Sequence, residues 1–114
     1  MNHETIYQRL GISYHQLAEF CQQSHIEELA LFGSVLRDDF RPDSDIDCLV
    51  TFAPNSKISL LEFIGLEEQL QDLLHRKVDL VQKSAVEKDH NWIRRKAILA
   101  SAQVIYESRS VISQ

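Results

Sequence analysis

The sequence predicts an α/β (α+β) fold: a small mixed β-sheet with helices packed on one face. Three observations predict it. Two runs rich in β-formers, Ile26–Phe32 and Ile46–Phe52, alternate with segments whose apolar residues recur at helical spacing. A third such run, Lys77–Val81, follows a long amphipathic segment almost directly. The chain has 114 residues with only 3 Gly and 2 Pro, too short for a doubly wound domain and without a low-complexity linker. We therefore expect a single domain over 1–114, with its core at about 26–106 and an N-terminal helix at about 13–23.

The elements follow in order. Ser13 and Gln16 have the spacing of a reciprocal capping box, and Ile12 can staple against Leu17. In the helix that follows, Tyr14, Leu17, Phe20 and Cys21 form one apolar stripe. The run Ile26–Phe32 stops at Gly33-Ser34, a strand entering a tight turn. An acidic segment broken by Pro42 leads into the strand Ile46–Phe52, which Pro54-Asn55-Ser56 ends. Ser59 and Glu62 form a second capping box. Leu60, Phe63, Ile64, Leu66, Leu70, Leu73 and Leu74 then define an amphipathic helix to about His75. Beyond the strand Lys77–Val81, Ser84 and Glu87 can cap a last helix running to about Ala102, with Val104–Tyr106 as a short β-like tail.

Composition excludes several classes. Lys and Arg number 12 against 17 Asp and Glu, a formal charge of −5. Residues 38–47 (DDFRPDSDID) hold five carboxylates and one arginine, so this segment carries −4 and the remainder of the chain −1. Acidity concentrated in this way argues against direct nucleic-acid binding and for a cation site. No uncharged apolar run, Leu29–Leu36 among them, approaches the roughly 18 residues of a membrane-spanning helix. The N-terminus lacks a basic region followed by an apolar core, so the expectation is a cytoplasmic protein without membrane contact. Cys21 and Cys48 are then expected to be buried, reduced thiols.

Asp45 and Asp47 stand two apart at the opening of the second strand, where residues i and i+2 share a face. Two adjacent carboxylates repel, and a divalent cation removes that repulsion. All-oxygen ligands favour a hard ion such as Mg²⁺ or Mn²⁺. Asp79 lies in the apolar run Val78–Val81, where a lone carboxylate is expensive to bury without a partner. If that strand lies beside the second, the three carboxylates converge as a two-metal phosphoryl or nucleotidyl transfer site requires. Gly33-Ser34 offers backbone N–H groups and a hydroxyl at a helix start, suited to the β- and γ-phosphates of a nucleoside triphosphate. Taken singly, each feature has a plainer reading: a turn, a solvated acid pair, a strand-end acid paired with Arg76 or Lys77. Their combination is what points to chemistry.

Gly33-Ser34, ten intervening residues, and Asp45-Ile46-Asp47 reproduce the G-S-x10-D-x-D signature of the DNA polymerase β-like nucleotidyltransferase superfamily. With Arg37, Arg41-Pro42-Asp43-Ser44 and Arg76-Lys77-Val78-Asp79-Leu80-Val81, the chain resembles the minimal nucleotidyltransferase (MNT) branch from about Ile26 to Tyr106. The resemblance implies the polymerase β-like nucleotidyltransferase fold and an MntA-type antitoxin of a HEPN/MNT toxin–antitoxin module. It implies Mg²⁺-dependent transfer of AMP from ATP to a tyrosine of a HEPN-type RNase toxin. It implies Asp45, Asp47 and Asp79 as catalytic and metal-binding residues for two Mg²⁺, and Gly33, Ser34 and Arg37 as nucleotide-binding residues. Asp79 would also polarise or deprotonate the incoming hydroxyl. The chain departs from the branch at Asp38, usually glycine, and at Phe40, usually small; both bear on the shape of the loop and leave the ligands untouched.

Arg37 and Arg41 have a structural reading, balancing Asp38, Asp39 and Asp43, beside a phosphate-binding one. Arg94-Arg95-Lys96 reads as a solvated helix face, and the five histidines as ordinary polar residues. The alternative to catalysis is an antitoxin that neutralises its partner by binding alone. A third reading, nucleotidyl transfer to an antibiotic, is disfavoured because a chain this short leaves no second domain for a substrate pocket.

Overall fold

In the computed structural model, which describes residues 1–108, Ile26–Phe32 (β1) and Ile46–Phe52 (β2) are strands with the expected bounds. Residues 109–114 of the expected domain lie outside the described residues. Tyr14–Gln23 (α2) and Leu60–Leu74 (α3) each begin with the expected box, Ser13 with Gln16 and Ser59 with Glu62, both hydrogen bonds of each box being present. His75 ends α3 in the left-handed conformation. The third strand is Val78–Gln82 (β3) and the tail is a strand, Gln103–Glu107 (β4).

The helices differ from the sequence reading in two places. His3–Leu10 (α1) precedes the expected N-terminal helix. Its ends are fixed by Asn2, whose side chain accepts from the Thr5 N–H, and by Gly11, at φ 75°. The expected last helix is two helices, Lys83–Glu87 (α4) and Trp92–Ser101 (α5). The break comes from local side-chain bonds: Asp89 accepts from the Asn91 N–H at 2.9 Å, and Asn91 caps α5 by accepting from Arg94 N–H at 3.1 Å.

The sheet has four strands in the order β3-β2-β1-β4. β1 pairs antiparallel with β2 and β4, whereas β2 and β3, joined through α3, are parallel. Leu29 and Leu31 of β1, Ile46, Cys48 and Val50 of β2, and Val78 and Leu80 of β3 pack under α1, α2 and α3 as the main core. The fold class is as expected, with a refinement to the one-faced packing. On the opposite face Ala30 and Leu49 pack with Val86 of α4 and with Ile98 and Leu99 of α5, forming a second, smaller apolar layer. Cys21 and Cys48 are buried and unpaired, as expected. Among the described residues no helix is long and apolar enough to cross a membrane.

α3 also closes the outer edge of β3. The N–H groups of Val78 and Leu80 donate to the side chains of Gln71 at 3.0 Å and Glu67 at 2.8 Å. An edge strand whose free donors are satisfied in this way offers no template for further pairing.

Candidate active site

Strand alternation decides where the carboxylates go. Ile46 and Cys48 face the main core, so Asp47 points to the opposite face beside Leu49. On β3, Val78 and Leu80 face the main core, and Asp79 shares the opposite face with Val81. The parallel register sets Asp47 directly against Asp79. On its other side Asp47 is paired with Phe32, the last residue of β1, so the following turn lies against its carboxylate.

That turn is Gly33–Leu36, a single 3-10 turn. Gly33 has φ 79°, and a Cβ added there would collide with Oδ2 of Asp47. Glycine is therefore required twice, for the backbone conformation and for the close approach of the carboxylate. Ser34 follows at the first turn, half-buried, with its carbonyl taken by the Arg37 N–H at 2.9 Å.

Asp47 is half-buried and its carboxyl is pushed above the ordinary carboxylate range, first by desolvation, then by the charges of Asp79 and Asp45. Arg37 acts in the opposite direction. The same arginine forms an exposed ion pair with Asp39 at 3.2 Å while its charge also reaches Asp47. Asp45 and Asp79 are both exposed. Asp79 is exposed although it stands in the apolar run Val78–Val81, so its carboxylate meets solvent and the cost of burying it does not arise.

Backbone register brings Asp47 and Asp79 together on one face, and Asp45, the residue before β2, is near enough for its charge to act on Asp47. Among the described residues no group of three or more His, Cys, Asp or Glu is set closely enough to hold a metal ion. The donor set nonetheless suits a hard divalent cation: three carboxylates, one of them already destabilised by the other two, beside a turn that leaves room for no side chain.

The loop between the turn and β2 is held by Arg9, which the sequence did not single out, and by Arg76, which it offered as a partner for Asp79. Arg9 of α1 donates to the carbonyls of Val35 at 2.9 Å and Arg37 at 2.5 Å. Arg76, at the α3–β3 junction, donates to the carbonyls of Arg41 and Ser44, both at 3.0 Å. Both guanidiniums lie over the ring of Phe40, Arg9 at 5.3 Å and Arg76 at 4.4 Å from its centroid. Arg76 thus does not serve Asp79. Of the basic cluster, Arg94 and Lys96 are exposed and Arg95 donates to the Asp89 carbonyl at 2.8 Å, which fits the solvated-face reading.

A mixed sheet whose one parallel pair sets acids beside a Gly-Ser turn is the frame of a nucleotidyl-transferring enzyme, and the family comparison agrees. The chain belongs to the nucleotidyltransferase domain family, whose model matches residues 15–105. Within it, its place is among the minimal nucleotidyltransferases of the MntA type. It is 44% identical over 68 residues to the protein adenylyltransferase MntA of Thermococcus cleftensis, covering 60% of this chain and 67% of that protein. A solved structure assigned as a minimal nucleotidyltransferase matches with a TM-score of 0.62 at 29% identity, covering 90% of this chain and 95% of that one. A toxin–antitoxin structure with AMP-PNP matches with a TM-score of 0.64 at 16% identity, over 86% of this chain and 76% of that one. The complex of a tri-AMPylated Shewanella oneidensis HEPN toxin with its MNT antitoxin matches with a TM-score of 0.56 at 16% identity, over 83% and 70%. The last two likenesses concern the fold.

Proposed function

We propose that this chain is an antitoxin that acts as a protein adenylyltransferase, moving AMP from ATP to a tyrosine hydroxyl of a HEPN-type RNase toxin and so neutralising it. The observation that carries the proposal is the register of Asp47 with Asp79 on parallel strands, beside the Gly33 turn. The relative named as a protein adenylyltransferase and the fold shared with an antitoxin bound to an AMPylated toxin support the choice of reaction and partner.

In this reading Asp45, Asp47 and Asp79 hold Mg²⁺, two ions being the expected number. Held by these carboxylates, Mg²⁺ would supply charge neutralisation for the triphosphate and would ease deprotonation of the acceptor hydroxyl. The backbone N–H groups at Gly33 and the Ser34 hydroxyl seat the β- and γ-phosphates, and Arg37 supplies a positive charge to the nucleotide. The tyrosine oxygen forms a bond to the α-phosphorus of ATP. The bond from that phosphorus to the bridging oxygen breaks, diphosphate leaves, and a carboxylate oxygen of Asp79 takes the hydroxyl proton.

A second reading, neutralisation by binding alone, is favoured by one observation. Leu60 and Leu61 at the start of α3 are 75% and 80% exposed, and Trp92 and Ile93 at the start of α5 are 60% and 64% exposed, the kind of side chains that interfaces cover. One experiment separates the two. The protein is incubated with ATP labelled in its α-phosphate, Mg²⁺ and the HEPN protein encoded beside it. Label should reach a toxin tyrosine with loss of RNase activity, and Asp45→Asn/Asp47→Asn should transfer none. No label from the wild type, or equal label from the double variant, refutes the catalytic reading; full protection of cells by the inert double variant establishes the binding one.

A further inference from the structure

We infer that Arg9 and Arg76 are positioning residues, a two-sided clamp that fixes the Gly33–Ser34 turn relative to Asp45 and Asp47. This rests on the proposed use of those two ends for triphosphate and metal. Between Leu36 and Ile46 the chain has neither helix nor strand, and its internal bonds are short-range: Ser44 N–H to the Arg41 carbonyl at 3.0 Å, and Arg41 N–H to Ser44 Oγ at 2.9 Å. None of these bonds reaches another element, and Leu36 and Phe40 pack against the main core. The two guanidiniums supply hydrogen bonds from α1 and from the α3–β3 junction. Arg9 holds the loop's beginning through the carbonyls of Val35 and Arg37, directly after the turn. Arg76 holds its end through Arg41 and Ser44, and Ser44 is the residue before Asp45. Phe40 fills the space between, under both guanidinium planes.

The choice of acceptors is informative. The loop is rich in carboxylates, yet among the described residues the ion pairs are Arg37–Asp39 and Lys83–Glu28, and neither Arg9 nor Arg76 enters one. An arginine present to neutralise charge would take a carboxylate. Each spends one terminal nitrogen, Nη1, on a pair of backbone carbonyls, which fixes geometry without drawing on the acids. Phe40, the departure noted in the sequence, is the packing surface that makes the double engagement possible. Arg9 lies on α1, before the 15–105 segment that matches the family. The clamp therefore joins an N-terminal helix outside that segment to the site inside it.

The test uses Arg9→Ala, Arg76→Ala, Arg76→Lys, Phe40→Leu and Phe40→Tyr in the full chain. It has two readouts: hydrogen exchange of the loop amides without nucleotide, and steady-state AMP transfer below every variant's melting temperature. Arg9→Ala and Arg76→Ala should speed exchange within residues 35–45 about tenfold. They should lower kcat by roughly 10- to 100-fold with the KM for the toxin unchanged, as a misplaced reacting group does. Arg76→Lys, which keeps a single nitrogen donor for the carbonyls but loses the guanidinium face over Phe40, should restore part of the transfer that Arg76→Ala loses, and Phe40→Tyr should retain what Phe40→Leu loses. A lowered melting temperature with unchanged kcat overturns the inference and leaves both arginines merely structural. If the wild type transfers no AMP, the proposed function fails, and the clamp is then decided by exchange alone: unchanged protection at 35–45 in both alanine variants overturns it.

Discussion

Substituting Gly33 by alanine should separate the two demands made on that residue, because the molecule contains its own control. Gly33 and Gly11 both have positive φ, 79° and 75°, so alanine meets the same backbone penalty at each, roughly 1–2 kcal/mol. At Gly11 an added Cβ meets nothing within 4 Å. At Gly33 it overlaps Oδ2 of Asp47 and stands 3.2 Å from its Cγ. The carboxylate must therefore turn away, at a cost of about 1 kcal/mol for an off-rotamer side chain. Gly11→Ala should lose about 1–2 kcal/mol of stability, close to 4 °C of Tm per kcal/mol for a chain of this size, and keep its AMP transfer. Gly33→Ala should lose about 1 kcal/mol more and drop transfer by about 100-fold through displacement of Asp47. Thermal melts in metal-free buffer and transfer rates at a temperature where both variants are folded provide the assay. Equal transfer by the two variants would refute the reasoning, since Gly33 approaches Asp47 and Gly11 meets nothing.

Further outcomes follow from the charges and the core. Asp47 has its carboxyl pushed up by burial and by Asp79 and Asp45, so ionising it costs stability at neutral pH, a cost absent once the pH falls below the unfolded-state value. Asp47→Asn should accordingly raise the metal-free Tm at neutral pH, with the gain shrinking as the solution is acidified, and Mg²⁺ should stabilise the wild type and not the variant; a lowered Tm for the variant would contradict this. Burial pushes the Cys21 thiol up to about 12 and raises that of Cys48 as well, so neither should react with Ellman's reagent at neutral pH in the native protein while both react in guanidinium. Rapid reaction of the native protein would contradict the packing of α2 against the sheet.

Legibility in the sequence tracks the range of the interaction. The bounds of β1 and β2 were readable because Gly33 and Pro54 punctuate strong β-formers, and the boxes at Ser13 and Ser59 because a cap spans only four residues. α1 carries a readable signature too, Asn2 and Gly11 at its ends and buried Ile6 and Leu10 on one face, but two turns give weak periodicity and their burial is decided by distant partners. The break at 88–91 contains no Pro or Gly; its signals were Asp89 and Asn91, whose side chains compete for backbone donors. The nearness of Asp45 and Asp47 follows from their spacing at the opening of β2. Which residue of β3 would stand beside Asp47 does not, because that register is set by the length and packing of α3. Arg9, Arg76 and Phe40 meet from three parts of the chain, and no local pattern announces them.

The parallel pairing of β2 with β3 explains why the acids end together. Had the two strands run antiparallel, Asp47 and Asp79, each the second residue of its strand, would lie at opposite ends of the pair. The crossover through α3 returns the chain to the edge from which β2 began, and the antiparallel β1 delivers its C-terminal turn to that same edge. Three strand ends converge there and concentrate repulsion on Asp47, which is unfavourable until a cation arrives. The fold sustains that because the cost is local. α3 satisfies the free donors of β3 through Glu67 and Gln71, the main core lies on the far face, and the arginine clamp holds the loop without neutralising its carboxylates. An apolar or fully paired edge would be more stable and would lack the carboxylates to which the proposed function assigns Mg²⁺.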